Sequence, residues 1–363
     1  MTIKIRRTAP DSPGMTVSRF GRPDPQRRPG QRKALILLAW LLVLAAGLPA
    51  CAAPAATAAP RPGITVIRPP QDIDALVLLN GLVWAGGRAG LFCLDLQGRL
   101  LKLPFTDTIP LRYVKSLCTD TQGRLWIAHE KGLACYDGAG LVNWTVADGL
   151  PDLRVNTVVS DRAGRLWVGT WSGVLLLDGD QRQTLTTADG LLSNMVNVIL
   201  TDRDGAVWFG SYNVPGGGIS IRSADGTGWQ YFTADNGLPN NNVTSLLQAA
   251  DGRVWAGTGF YDHGGAAIFS QSAGQWQLTG TLAQDNGLAG AKVRSLFQAT
   301  DGAIWIGSEY DGAAVLKEGQ FRKVTARDGL ANDEIKTLLQ DETGSIWIGT
   351  RDGINRVNPA EFP

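Results

Sequence analysis

Histidine is nearly missing from this chain: 363 residues contain two, His129 and His263. A His-rich metal centre is therefore excluded. His129-Glu130 has no second histidine four residues on, which excludes a metalloprotease helix as well, and the pair reads as a loop. Cysteine is sparse too. Beyond Cys51 only Cys93, Cys118 and Cys135 remain, an odd number that argues against a disulfide framework. No GxxxxGK[ST] phosphate loop occurs, and Asp-Gly turns such as residues 202–205 need no ion, so no metal or cofactor is expected. Positive charge is short outside the first 33 residues, which hold nine Lys or Arg against two acids; the rest carries a net charge of −6. Nucleic acid is thereby excluded as a partner, because phosphate binding needs a concentrated positive surface. No convincing helical period appears between Ile64 and Val357.

What is abundant is glycine, 45 residues, and tryptophan, 12 residues, as suits many short strands joined by tight turns. The basic start runs into an uncharged apolar stretch from Ala34 to Ala50 that ends at Cys51. A positive region, an apolar run and small residues are the layout of a secretory signal. Leu48, Pro49, Ala50 and Cys51 resemble a bacterial lipobox, which implies lipidation at Cys51 and a lipid anchor in the membrane. An uncleaved anchor of 17 apolar residues is the other reading, and translation from Met15 is a second start. Both readings place the remainder of the chain outside the cytoplasm. The expected organisation is a lipoprotein-type signal at residues 1–50, a lipidated Cys and Ala/Pro tether at 51–63, and a folded domain at 64–363.

That domain repeats. Trp84, Trp126, Trp167, Trp208, Trp255, Trp305 and Trp347 each follow a turn glycine, at spacings of 42, 41, 41, 47, 50 and 42. A strand-like period of this size predicts propeller blades. In the third repeat VNTVVSD, RLWVGT, VLLLDG and RQTLTTA read as four strands, the first two apolar on both faces. The Trp side chains are expected in the packing between blades, and Cys118 as a small buried apolar residue. The last repeat lacks a fourth strand, while residues 64–69, ITVIRP, precede the first repeat without a blade of their own. The expected fold is all-β, a seven-bladed β-propeller whose seventh blade is closed by residues 64–69.

The recurring DGLPDLRVNTVVSDRAGRLWVGTWSGV, NGLPNNNVTSLLQAADGRVWAGT and DGLANDEIKTLLQDETGSIWIGTRDGI resemble the two-component regulator propeller repeat. The resemblance covers residues 64–357. It implies a β-propeller of the extracytoplasmic sensor half of membrane receptors, often hybrid histidine kinases that detect glycans. No β-sandwich, second membrane helix or kinase follows the seventh repeat here, so the expectation is confined to ligand sensing or binding, with a sensor kinase as a separate partner. The propeller lyases acting on streptogramins share seven blades, but their two histidines and glutamate find no convincing match.

Candidate ligand residues lie in the loops after the Trp strands, which are expected to share one face with the DGL turns. Repeats four and five gain four residues each and repeat six one. They bring Tyr212, Asn213, Phe260, Tyr261, Asp262, His263, Glu309 and Tyr310, with Trp171 on the neighbouring repeat. Aromatic faces for stacking beside carboxylates that accept from hydroxyls suit a small extracellular molecule or glycan. Two classes stay open: a tethered ligand-binding sensor at the cell membrane or outer membrane, and a structural or adhesion propeller holding a surface protein. Catalysis is not expected, a lyase being the remote third.

Overall fold

The computed structural model describes residues 62–105, 111–212 and 215–361. Cys51 and Asn213, two of the candidate residues, lie outside them. The described residues form seven four-stranded antiparallel sheets arranged as blades. In blade 3 the strands Val155–Ser160, Leu166–Thr170, Gly173–Asp178 and Gln181–Leu185 pair in chain order. The first strand of every blade lies innermost and packs against the first strands of its neighbours.

A single aspartate organises the inner hairpin. Asp161 Oδ1 accepts from the backbone N–H of Ala163 and Arg165, tightening a turn in which Gly164 takes φ of 83°. Its other oxygen accepts from Arg165 Nε at 2.6 Å and from Trp167 Nε1 at 3.1 Å. The same Asp–Trp bond joins Asp120 to Trp126, Asp202 to Trp208 and Asp341 to Trp347. Blade 5 has Ala249 in that place and the turn of blade 1 has no Asp; there the Trp255 and Trp84 indole N–H groups are buried without a partner.

The glycine two residues after the Trp in six of the seven blades, with Ala128 in that place in blade 2, explains how blades meet. A Cβ on Gly210 would stand 2.7 Å from Val243 of the next blade, and one on Gly349 would stand 2.8 Å from Ile73 across the closure. Removing the side chain lets the β-branched residue that opens the next innermost strand reach the Trp strand directly. The seven repeat tryptophans, at most 5% exposed, fill the rest of these interfaces as expected.

Closure follows the expected scheme. Ile64–Ile67 pairs antiparallel with Gly353–Val357, from Ile64 opposite Val357 to Ile67 opposite Ile354. The strand stops at Ile67 rather than at residue 69, because Arg68 is followed by Pro69 and Pro70, which lack a ladder donor.

The innermost strand packs on both faces, as expected: in Val243–Gln248 Leu246 joins the cluster shared with blade 4 and Leu247 the one shared with blade 6. One further expectation needs correction. His129 is not on a loop; it ends the strand Leu125–His129, fully buried, with Nε2 2.8 Å from Asn143 Oδ1. Among the described residues helical geometry is confined, as expected, to single 3-10 turns at Val146–Asp148, Ala234–Asn236, Gln284–Asn286 and Ala326–Asp328. Each carries the DGL motif from an outer strand into the next blade. Cys93, Cys118 and Cys135 are free; burial pushes the Cys118 thiol up to about 12 and Cys135 up to about 11.

Candidate functional site at the channel mouth

The loops after the Trp strands do share a face with the DGL turns. Tyr212 N–H donates to Met195 O, Gly259 N–H to Asn242 O and Glu309 N–H to Lys292 O, so each loop is tied to the segment entering its own blade. The four extra residues of blade 5 do not make a loose loop. They extend the hairpin as regular pairing, Val254–Phe260 against His263–Ser272, with Phe260 opposite His263 and Tyr261 at the tip with φ of 52°.

Five of the predicted residues come together on blades 4 to 6. Phe260 lies edge-on to Tyr212 at 6.3 Å between ring centroids and to Tyr261 at 4.3 Å. Glu309 is linked to Tyr212 through Lys292, which is 7% exposed: Lys292 Nζ is 2.6 Å from Glu309 Oε2 and donates to Tyr212 OH at 3.4 Å. Tyr310 OH donates to Glu309 Oε1 at 3.1 Å. Tyr261 and Tyr310 are 68% and 64% exposed, which leaves ring faces open to a ligand. Burial alone would raise the Glu309 pKa, but the Lys292 hydrogen bond and the charges of Arg294 and Lys292 hold it below the ordinary value. Glu309 is thus a carboxylate acceptor, and its charge raises the Tyr310 phenol, keeping that hydroxyl a donor.

The other predicted residues stand apart. Trp171 is held on blade 3, with Arg154 4.3 Å above its ring and its Nε1 donating to Asn156 Oδ1 at 3.2 Å. Asp262 and His263 pair with each other at 3.3 Å and are otherwise turned to solvent.

Sequence reasoning missed the floor of the site. Asp74, Lys115, Asn156, Asn197, Thr244, Arg294 and Lys336, one from each blade, line a single cavity of about 240 Å³ together with Tyr212. Six of them sit where the pairing of the innermost strand shifts register, a bulge that aims the side chain inward. The amides of Asn156 and Asn197 reach forward to the next blade, donating to Val196 O and Val243 O. Asp74 is the hub of the charged half: Lys115 Nζ is 3.0 Å away, Lys336 Nζ 3.1 Å and Arg294 Nη2 3.9 Å. Lys336 also pairs with Asp72 and Glu334. Burial would lower the Lys336 pKa; the surrounding carboxylates outweigh it and hold the ammonium above its usual value. The available signal was positional: each residue follows a β-branched one, ten or eleven residues before the repeat Trp.

Among the described residues no cluster of His, Cys, Asp and Glu has the geometry of a metal site. Nor is any helix there long and apolar enough to cross a membrane.

The two-component regulator propeller model matches residues 149–172, 190–213, 237–260 and 329–352. No curated protein matches by sequence. Among solved structures, the extracellular domain of the hybrid two-component system BT3049 of B. thetaiotaomicron superposes with a TM-score of 0.66 at 22% identity, over 79% of this chain and 40% of that one. Virginiamycin B lyase of Staphylococcus aureus gives 0.61 at 13% identity, over 82% and 99%. PorZ, a surface component of the type-IX secretion system of Porphyromonas gingivalis, gives 0.61 at 14%, over 79% and 46%. This chain thus spans about two fifths of the length of that extracellular domain. The described residues thus form a seven-bladed β-propeller closed by an N-terminal strand, and four of its blades carry repeats that match the two-component regulator propeller.

Proposed function

We propose that the chain is an extracytoplasmic binding module, held at a membrane through its N-terminal region by lipid on Cys51, that captures a carbohydrate-like ligand at the channel mouth. Occupancy passes to a separate two-component kinase. The observation that carries this reading is the line Tyr212–Lys292–Glu309–Tyr310, which sets two tyrosines from blades 4 and 6 around a carboxylate acceptor beside a cavity floored by Asn, Thr, Lys and Arg. Sugars need this combination: aromatic faces for their C–H surfaces and fixed polar groups for their hydroxyls. The likeness to a sensor domain of a two-component system is consistent with it.

A catalytic reading finds less support in the side chains. His129 is spent on Asn143, and burial lowers its pKa so that it is neutral. His263 is on the rim with Asp262 alone. A glycan array probed with the full chain tests the proposal. Saturable binding to a defined set of sugars is expected; silence across neutral and acidic glycans alike would contradict it.

A further inference from the structure

Across the channel mouth from the aromatic rim, blades 7, 1 and 2 enclose a second cavity of about 620 Å³. Three arginines line it: Arg351 from the loop of blade 7, Arg88 from the loop of blade 1, and Arg112 from the segment entering blade 2. Their backbones are tied in sequence. Asp72 N–H donates to Arg351 O at 2.7 Å, Arg88 N–H to Asp72 O at 3.1 Å and Tyr113 N–H to Arg88 O at 3.2 Å. The three side chains therefore start from a fixed frame.

Several other arginines are matched with acids, Arg99 with Asp95, Arg124 with Asp120, Arg154 with Asp152 and Arg165 with Asp161, and Arg162, Arg182 and Arg203 donate to backbone carbonyls. The three in this cavity do neither. Among the described residues none of their guanidinium groups enters an ion pair or donates a side-chain hydrogen bond; Arg88 lies 5.5 Å over the Tyr113 ring. The two carboxylates of the lining are engaged elsewhere, Asp72 with Lys336 and Asp352 with Asn332 Nδ2 at 2.7 Å. Three unpaired forks converging on one space repel one another until an anion neutralises them, and the planar guanidinium matches a carboxylate, sulfate or phosphate two bonds at a time.

We infer that this three-arginine pocket binds an oxyanion group of the ligand, so that the captured glycan is an acidic one. The inference rests on the sugar reading of the rim and narrows it. An intervening cavity of about 530 Å³ joins the two places, sharing Arg351 with the arginine pocket and Glu309 and Tyr310 with the aromatic rim; Asp333, Glu334 and Asp352 also line it, so the track itself takes sugar hydroxyls and only the arginine end takes the anionic group. One oligosaccharide lying along that track meets tyrosines at one end and arginines at the other.

Calorimetric titration of the full chain tests this with three tetrasaccharides: a hexuronate, its methyl-esterified neutral counterpart, and a sulfated neutral sugar. At least one acidic ligand binds about tenfold or more tightly than the neutral one, and the Arg88→Gln/Arg112→Gln variant loses that advantage. Which acidic sugar binds more tightly tells carboxylate from sulfate. All three positions are exposed, and a melting curve checks that the variant is folded. Equal affinity for neutral and acidic sugars, or an unchanged preference in the variant, overturns the inference while leaving the sugar reading intact. If none of the three sugars binds, both fall together.

Discussion

Lys292 and Glu309 stand 2.6 Å apart within blade 6, and through the Lys292 ammonium the pair reaches Tyr212 of blade 4, 80 residues earlier in the chain. Lys292 is 7% and Glu309 15% exposed, so the pair is a desolvated one whose members depend on each other. Glu309→Gln strands the ammonium and should destabilise the propeller by about 2–4 kcal/mol, less than a fully buried pair would cost. Lys292→Met/Glu309→Gln removes both charges and should recover part of that loss. A double-mutant cycle in urea measures the coupling, and additive single losses would show that the pair is not coupled.

The interface glycines give a second prediction. Gly210→Ala places a methyl 2.6 Å from Val198 and 2.7 Å from Val243, both on innermost strands that cannot retreat into the channel without breaking their pairing. A loss of about 1–3 kcal/mol is expected. Gly252→Ala, at a turn where no atom lies within 4 Å of the added Cβ, tests backbone strain alone because Gly252 has φ of 88°. Thermal melts of the two variants separate steric crowding from conformational cost.

Two aspartates that make the same Trp bond should respond oppositely to pH. At Asp161 burial raises the pKa, but Trp167 and Arg165 outweigh it and the carboxyl sits below its ordinary value. At Asp202 Ala206 replaces the arginine, and burial leaves the pKa raised. The contribution of Asp161 is therefore present above the unfolded pKa of about 3.9 and lost as pH falls toward the folded value. That of Asp202 is complete below about 3.9 and lost as pH rises through its raised folded value. At pH 7 Asp161→Asn should destabilise more than Asp202→Asn, and the gap should shrink by pH 3. Urea midpoints of both variants at the two pH values measure it; a gap independent of pH would contradict the Arg165 explanation.

Blade count, strand order and ring closure are legible in the sequence because each rests on a repeated local constraint. A Trp two residues before a small residue, glycine in six repeats and Ala128 in the second, can only recur at blade spacing if every blade seats its neighbour in the same way. The site is less legible. Tyr212, Phe260, Tyr261, Glu309 and Tyr310 stand out because their loops break the repeat, yet Trp171, equally conspicuous, is occupied by Arg154 and Asn156. Lys292, Arg294 and Lys336 sit inside the regular part of the repeat, where a polar residue looks like any strand residue. Their direction is set by bulges and by closure of the ring, which brings Lys336 to Asp74 across 262 positions. Ring closure likewise sets blades 7, 1 and 2 side by side, but nothing in the spacing of Arg88, Arg112 and Arg351 foretells that their side chains line one cavity.

Closure itself is testable. Deleting residues 64–69 exposes the edge of Gly353–Val357 and uncovers Ile354 and Val357, both at most 1% exposed. With several kcal/mol lost, melting should fall by roughly 10 °C or more. Thr65→Pro, which removes one N–H from the same strand, should lower it less. An unchanged melt for the deletion would mean that the ring does not depend on this strand.

The most direct measurement of the binding face is the affinity of the full chain carrying Tyr212→Ala, Tyr261→Ala and Tyr310→Ala for the best sugar from the array, read beside its melting temperature. Loss of affinity by about a hundredfold or more, with a melt close to that of the parent, is the expected result. Retained affinity in a folded triple variant would contradict the aromatic rim as the ligand site.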